Sequence, residues 1–163
     1  MIFVTIGSMF PFDRLIRDMD AWTAANPGHR VLAQIGEGRY VPEHMEHVRR
    51  LSQAAFRHHA EAATLIVAHA GMGTVITAGR AGRPLVILPR IREWGEHTTD
   101  HQIATANWLR DKPGIFVADD DAALAGAIAA GLAADMDGHA PLSPVADAAF
   151  IERIRAALTR QDG

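Results

Sequence analysis

The chain alternates short apolar runs with longer stretches in which apolar residues recur at three- and four-residue spacing, a pattern that predicts repeated strand–helix units and a parallel sheet. The first run, residues 2–6, ends at Gly7-Ser8. Phe12, Leu15, Ile16, Met19 and Trp22 then fall on one helical face before Asn26-Pro27-Gly28 stops the helix. Residues 31–35 predict a second strand, closed by Gly36-Glu37-Gly38. A weaker third run covers residues 47–51 and leads to Ser52, a good N-cap for a helix carrying Ala55, Phe56 and Ala60. Residues 64–68 predict a fourth strand, and the loop from His69 to Gly73 opens a helix that Gly82 and Pro84 terminate. Residues 85–88 predict a fifth. After polar residues 89–97, Thr99 and Gln102 fit a capping box for a helix running to about Arg110. A short sixth strand at residues 115–117 precedes a helix with Leu124, Ile128 and Leu132 at four-residue spacing.

These units predict a doubly wound, mostly parallel α/β sheet with helices on both faces, because strand–crossover–strand connections are right-handed. The pattern divides the chain into an α/β domain at residues 1–134, a linker at 135–144, and a last helix at 145–163. That helix bears the stripe Phe150, Ile151, Ile154 and Leu158 and is expected to dock on its own domain or on a partner.

Length and composition narrow the function. The 163 residues suffice for one domain. A 48% apolar, 21% charged composition is that of a folded globular chain. The net charge of −3 gives no general field toward nucleic acid or an anionic membrane. The absence of cysteine excludes disulfides, thiolate nucleophiles and sulfur-bound zinc. The uncharged start MIFVTIG lacks the features of a signal peptide, and no apolar run approaches a membrane span, so a cytoplasmic protein is expected. His44, His47, His58 and His59 show no ligand spacing, and neither a metal nor a cofactor is expected.

Ligands of doubly wound sheets bind beyond the carboxyl ends of the strands. That rule selects Gly7-Ser8, Gly36-Glu37-Gly38, residues 69–74 and residues 89–102 as one rim. In His69-Ala70-Gly71-Met72-Gly73-Thr74 the glycines let backbone approach a ligand, and the N–H groups that follow, with the helix dipole, favour a phosphate. The same glycines would also serve a plain strand-to-helix turn. The spacing is neither a dinucleotide fingerprint nor a P-loop. The second cluster, Glu96-His97-Thr98-Thr99-Asp100-His101-Gln102, gathers carboxylates, imidazoles and an amide at a helix N-terminus, the donors and acceptors that sugar hydroxyls need. Here too capping and dipole roles would account for Gln102 and Asp100.

Gly7-Ser8, His69-Ala70-Gly71, Gly82-x-Pro84 and Asp100-His101-Gln102, in this order, resemble the donor-binding half of family 28 glycosyltransferases, which have the two-domain GT-B architecture. The resemblance covers residues 2–117 and is strongest to short bacterial exopolysaccharide proteins and to the small subunit of the eukaryotic dolichol-linked N-acetylglucosaminyltransferase. It implies that Gly71, Met72, Gly73 and Thr74 hold the diphosphate of a UDP-sugar, that Asp100, His101 and Gln102 meet the sugar, and that Gly7 and Ser8 face the cleft. Many relatives carry Glu, holding ribose, where this chain has Thr77; a hydroxyl at Thr77, or Glu96 or Glu37, would have to substitute.

Since only one GT-B domain fits in this length, the resemblance implies a partner chain. That membrane-associated glycosyltransferase subunit would bind the lipid-linked saccharide acceptor and recruit this chain to the inner face of the membrane. Arg90 and Arg92 lie where leaving-diphosphate charge would develop, and His97 and His101 are the candidate catalytic bases. The alternative is a non-catalytic nucleotide-sugar sensor or enhancer subunit.

Overall fold

The structure, a computed structural model, describes residues 1–136. Most of the linker and the whole of the final apolar stripe expected from the sequence lie outside the described residues. The elements run in the order β1 (Ile2–Thr5), α1 (Asp13–Ala25), β2 (Val31–Gln34), β3 (Glu46–Val48), α2 (Gln53–Ala62), β4 (Leu65–His69), α3 (Met72–Ala81), β5 (Leu85–Leu88), a 3₁₀ turn (Arg92–Trp94), α4 (His101–Leu109), β6 (Ile115–Val117) and α5 (Asp121–Ala133). All strand pairs are parallel, in the order β3-β2-β1-β4-β5-β6. The order reverses between β1 and β4, which makes the carboxyl ends of these two strands the switch point of the sheet.

The unbroken apolar runs of β1, β2, β4 and β5 follow from burial on both faces. Ile2 and Val4 point to one side, into a core with Leu15, Ile16 and Met19 of α1 and Leu124 and Ile128 of α5. Phe3 points to the other, into a core with Ala60, Val75, Ala78, Ala106 and Leu109. Thus α1 and α5 cover one face, and α2, α3 and α4 the other.

Two local expectations are corrected. The third strand starts and stops earlier than the sequence pattern indicates, pairing Leu32 with Glu46 and Gln34 with Val48. Just past it, Arg49 donates from Nη1 to the carbonyls of Gly36 (3.0 Å) and Gly38 (3.1 Å). The Thr99–Gln102 capping box does not form. Asp100 is the N-cap of α4 and makes no side-chain cap bond, and the Gln102 Oε1 instead accepts the amide of Arg90 at 3.2 Å. Ser52 does cap α2, accepting from the Ala55 amide, and Gly82, in the left-handed region at φ 62°, closes α3.

One buried carboxylate fixes the long segment between β2 and β3. Asp20, 2% exposed, accepts the Tyr40 hydroxyl (2.7 Å) and the amides of Glu43 (3.0 Å) and His44 (2.7 Å). Burial raises its pKa, but these donors outweigh burial and hold it below the ordinary carboxylate range. A depressed carboxylate contributes stability above its unfolded pKa, and that contribution is lost as pH falls through the folded value. Asp20→Ala, which orphans three donors, should cost about 2–3 kcal/mol at neutral pH. The deficit should shrink as the pH falls below the ordinary carboxylate range, toward the depressed value at which the folded wild-type group protonates. Thermal melts of the two proteins along a pH series check both points.

Candidate functional site

The rim at the carboxyl ends of β1, β4 and β5 is assembled around two side chains. The first is Arg90, just after β5, which is 2% exposed. Its Nη2 donates to the carbonyls of Ile6 (2.6 Å) and Phe10 (2.8 Å), and its Nη1 to those of Pro11 (2.6 Å) and Glu96 (3.1 Å). The guanidinium also lies over the Phe12 ring, 4.8 Å from its centroid. Arg90 therefore ties the β1–α1 loop to the loop after β5. Burial lowers its pKa to about 10, which leaves it charged at neutral pH. The sequence expectation placed this cation against a leaving diphosphate; the geometry commits both terminal nitrogens to backbone carbonyls.

Arg14 extends the tie. Its Nε and Nη2 form a two-pronged bond to Glu96 (both 2.8 Å), Nη2 also reaches the carbonyl of Pro89, and Nη1 pairs with Asp121 at 2.5 Å. Glu96 additionally accepts the Ile91 amide at 2.8 Å, and Asp100 accepts that of Arg92 at 3.1 Å. Glu96 and Asp100, expected to meet sugar, thus hold the loop in shape. Gln102 is 3% exposed; its Oε1 is occupied by Arg90, and its Nε2 makes no hydrogen bond among the described residues. A concavity of about 450 Å³ opens over Arg14, Trp94, Glu96 and Asp121.

The second organising side chain is His69, the last residue of β4. Its ring lies between the two glycine turns of the switch point. A Cβ at Gly7 would come within 2.6 Å of Cε1, and one at Gly71 would collide with Nε2. Gly7 also has φ +76°, open to few other residues. Burial, then the charge of Arg90, push the imidazole down to about 4, so it is neutral at neutral pH. Beyond it Gly71 is the N-cap of α3, and its carbonyl accepts the amides of Thr74 and Val75. The amides of Met72 and Gly73 have no acceptor among the described residues. Met72 is exposed, and a Cβ at Gly73 would meet nothing within 4 Å. Two N–H groups without an acceptor among the described residues thus lie on exposed residues at the positive end of a helix dipole. Thr74 is buried beneath them, and the Thr77 hydroxyl donates to the Gly73 carbonyl at 2.8 Å.

His97 and His101 come together with their rings 4.5 Å apart, edge to face, and His97 also meets the Phe10 ring. Thr99 contacts both imidazoles. Partial burial, His101 and Arg90 push the His97 pKa below its ordinary value. Ser8 and Arg92 are exposed on the same loops. Among the described residues no group of acidic, cysteine or histidine side chains could hold a metal ion.

The sequence reading missed the supports under this rim. Thr5 and Gln34, opposite each other on β1 and β2, share a 2.7 Å hydrogen bond. The Thr5 hydroxyl accepts the Gly7 amide, and Gln34 Nε2 donates to the carbonyls of Gly7 and Arg49. The available signal was a polar residue at matching places in two otherwise apolar runs.

Six parallel strands wound in this order, with a glycine turn opening a helix at the switch point, form the Rossmann-like half of a GT-B glycosyltransferase fold. The chain belongs to the glycosyltransferase family 28 C-terminal domain family, whose sequence profile matches residues 1–158. Among solved structures it is similar to the NMR solution structure of ALG13, with a TM-score of 0.60, 16% identity, and coverage of 94% of this chain and 93% of that one. It is also similar to CalG4, the calicheamicin glycosyltransferase (TM-score 0.57, 19% identity, 95% of this chain and 36% of that one). The glycotransferase of kitacinnamycin gives a TM-score of 0.56 at 22% identity over 80% of this chain and 33% of that one. The chain thus spans about a third of the length of the latter two. No match was found among curated proteins. No helix among the described residues is long and apolar enough to cross a membrane.

The wedge geometry generates a double-mutant test. Gly71 has an ordinary φ of −103°, so Gly71→Ala offends only through the His69 ring and should cost about 1–3 kcal/mol. In a His69→Ala background the same substitution should cost less than about 0.5 kcal/mol, a coupling that urea denaturation of the four proteins would measure. Gly7→Ala should not be rescued in this way, because its positive φ keeps the strain.

Proposed function

We propose that this chain is the donor-binding subunit of a two-chain glycosyltransferase. In this reading it holds a UDP-sugar while a membrane-associated partner presents a lipid-linked saccharide acceptor for polysaccharide synthesis. The observation that carries the reading is the pair of unpartnered amides at Met72 and Gly73, on an open helix N-terminus at the switch point of a family 28 domain. Such amides suit a diphosphate without a metal. The family 28 domain match over residues 1–158 supports the donor-binding role.

In the reaction the bond from the sugar's anomeric carbon to the diphosphate oxygen breaks as the acceptor hydroxyl oxygen bonds to that carbon. The hydroxyl proton passes to a base, and UDP leaves. The Met72 and Gly73 amides stabilise the charge growing on the diphosphate, with exposed Arg92 as the nearby cation that remains uncommitted. His97 and His101 are the base candidates on this chain; the depressed pKa of His97 keeps one imidazole neutral and able to accept a proton. Gln102 offers Nε2 to the sugar, and Thr77 keeps an acceptor lone pair for ribose.

A nucleotide-sugar sensor is the second reading. It is favoured by Thr77, whose hydroxyl proton is already given to Gly73. Assay of the partner chain alone separates the two, since full transfer activity without this subunit would leave it a sensor.

Calorimetric titration with UDP should give saturable heat. Gly73→Asp, placed where a side chain meets open space, should weaken binding at least about tenfold by setting a carboxylate against the diphosphate, with the melting temperature nearly unchanged. Silence of the folded wild-type protein toward UDP and a panel of UDP-sugars would sink the donor reading.

A further inference from the structure

Thr99, in the loop between β5 and α4, touches both imidazoles of the rim through their Nδ1 atoms. Its backbone amide donates to His97 Nδ1 at 3.2 Å. Its hydroxyl oxygen lies 3.5 Å from that same nitrogen and 2.5 Å from His101 Nδ1. Phe10 also packs edge-on against His97, with ring centroids 5.1 Å apart. Neither Nε2 atom of the pair has a hydrogen-bond partner among the described residues. A neutral imidazole carries one proton and one lone pair, so the partner of one nitrogen fixes the state of the other. The Thr99 amide is a donor, hence His97 turns its lone pair to that amide and carries its proton on Nε2. The hydroxyl then has one arrangement that suits both rings. It directs its hydrogen toward His97 Nδ1 and accepts Nδ1–H from His101, which leaves the His101 lone pair on Nε2. The reverse arrangement, with the hydroxyl donating to His101, sets its oxygen against the His97 lone pair with no hydrogen between them. Burial, His101 and Arg90 hold His97 below its ordinary pKa, which keeps that ring neutral.

We propose that Thr99 is a positioning residue that gives the two imidazoles opposite roles: His101 accepts a proton at Nε2, and His97 donates a hydrogen bond from Nε2. The assignment rests on the donor-subunit reading and divides its two base candidates. The proton of the acceptor hydroxyl passes to His101 Nε2 as the hydroxyl oxygen bonds to the anomeric carbon. The bond from that carbon to the diphosphate breaks, and its electron pair leaves on UDP. The imidazolium formed at His101 keeps its Nδ1–H on the Thr99 oxygen. His97 can take a proton only at Nδ1, by giving up the Thr99 amide, so the base role falls to His101. What His97 offers instead is an N–H for an oxygen of the donor.

Heteronuclear NMR of the imidazole nitrogens reads tautomers directly. In the full, ligand-free chain at about pH 8.5, well above the ordinary histidine range, His97 should carry its proton on Nε2 and His101 on Nδ1. Thr99 is exposed, so its substitution spares the core. Thr99→Ala should move His101 to the Nε2–H form that free histidine prefers and leave His97 unchanged, because the backbone amide remains. Thr99→Ser should restore the wild-type pattern. A wild-type His101 protonated on Nε2, or one His101 tautomer common to wild type and Thr99→Ala, would overturn the proposal whether or not UDP binds. Saturating UDP should then shift the His97 Nε2–H resonance. A chain that binds UDP without that shift loses the assignment of His97 and keeps the donor reading. In transfer assays with the partner chain, His101→Gln should lower kcat at least about a hundredfold while the donor KM stays within about threefold. An undiminished kcat would refute the base assignment.

Discussion

The buried guanidinium of Arg90 is the constraint on which the rim depends. Taking a cation out of water is costly, and here the cost is offset by four carbonyls drawn from two loops that Arg90 ties together. Backbone carbonyls at the ends of parallel strands need donors, since the next strand segment supplies none. One planar fork satisfies several of them at once. A lysine could not, because its ammonium is a compact charge without the flat divergent geometry. The β1–α1 loop is therefore set by a residue far away in sequence, and Arg14 with Glu96 repeats the device one layer further out.

His69 works by the opposite means, occupying space. Its neutral ring fills the crevice between the first and fourth loops, and Gly7 and Gly71 are the residues that leave room for it. Two glycines that look like a licence for ligand approach are thus partly a licence for an internal side chain. Gly73 is different, because it faces open space and its amide has no acceptor among the described residues. Within one short motif the structure separates glycines required by packing from the one that leaves backbone available.

Much of the fold was legible because burial on both faces of a parallel sheet leaves continuous apolar runs, and because Ser52 and Gly82 have direct local roles. The third strand was blurred since it is an edge of only three residues, none of them fully buried. The rim was legible as a set of positions, which the rule about strand ends supplies. The jobs of its polar residues were not. Local spacing made Thr99 and Gln102 a cap, and chemistry made Arg90 and Glu96 ligand groups. In three dimensions Gln102 instead takes the Arg90 amide, and Glu96 takes Arg14. Such long-range bonds leave no periodic trace in a single sequence.

The distribution of committed and uncommitted groups bears directly on chemistry. Glu96 and Asp100 are engaged with an arginine and with backbone amides, so neither stands ready to bind a cation. What remains uncommitted is of the other kind: two amides at a helix start, the buried Gln102 amide nitrogen, exposed Arg92, and a pair of imidazoles of which His97 has a lowered pKa. Donors outnumber free carboxylates, and a surface with that balance favours a ligand bearing anionic oxygens. The loop carboxylates, by stabilising the rim from beneath, keep their own charge away from the place where such a ligand would lie.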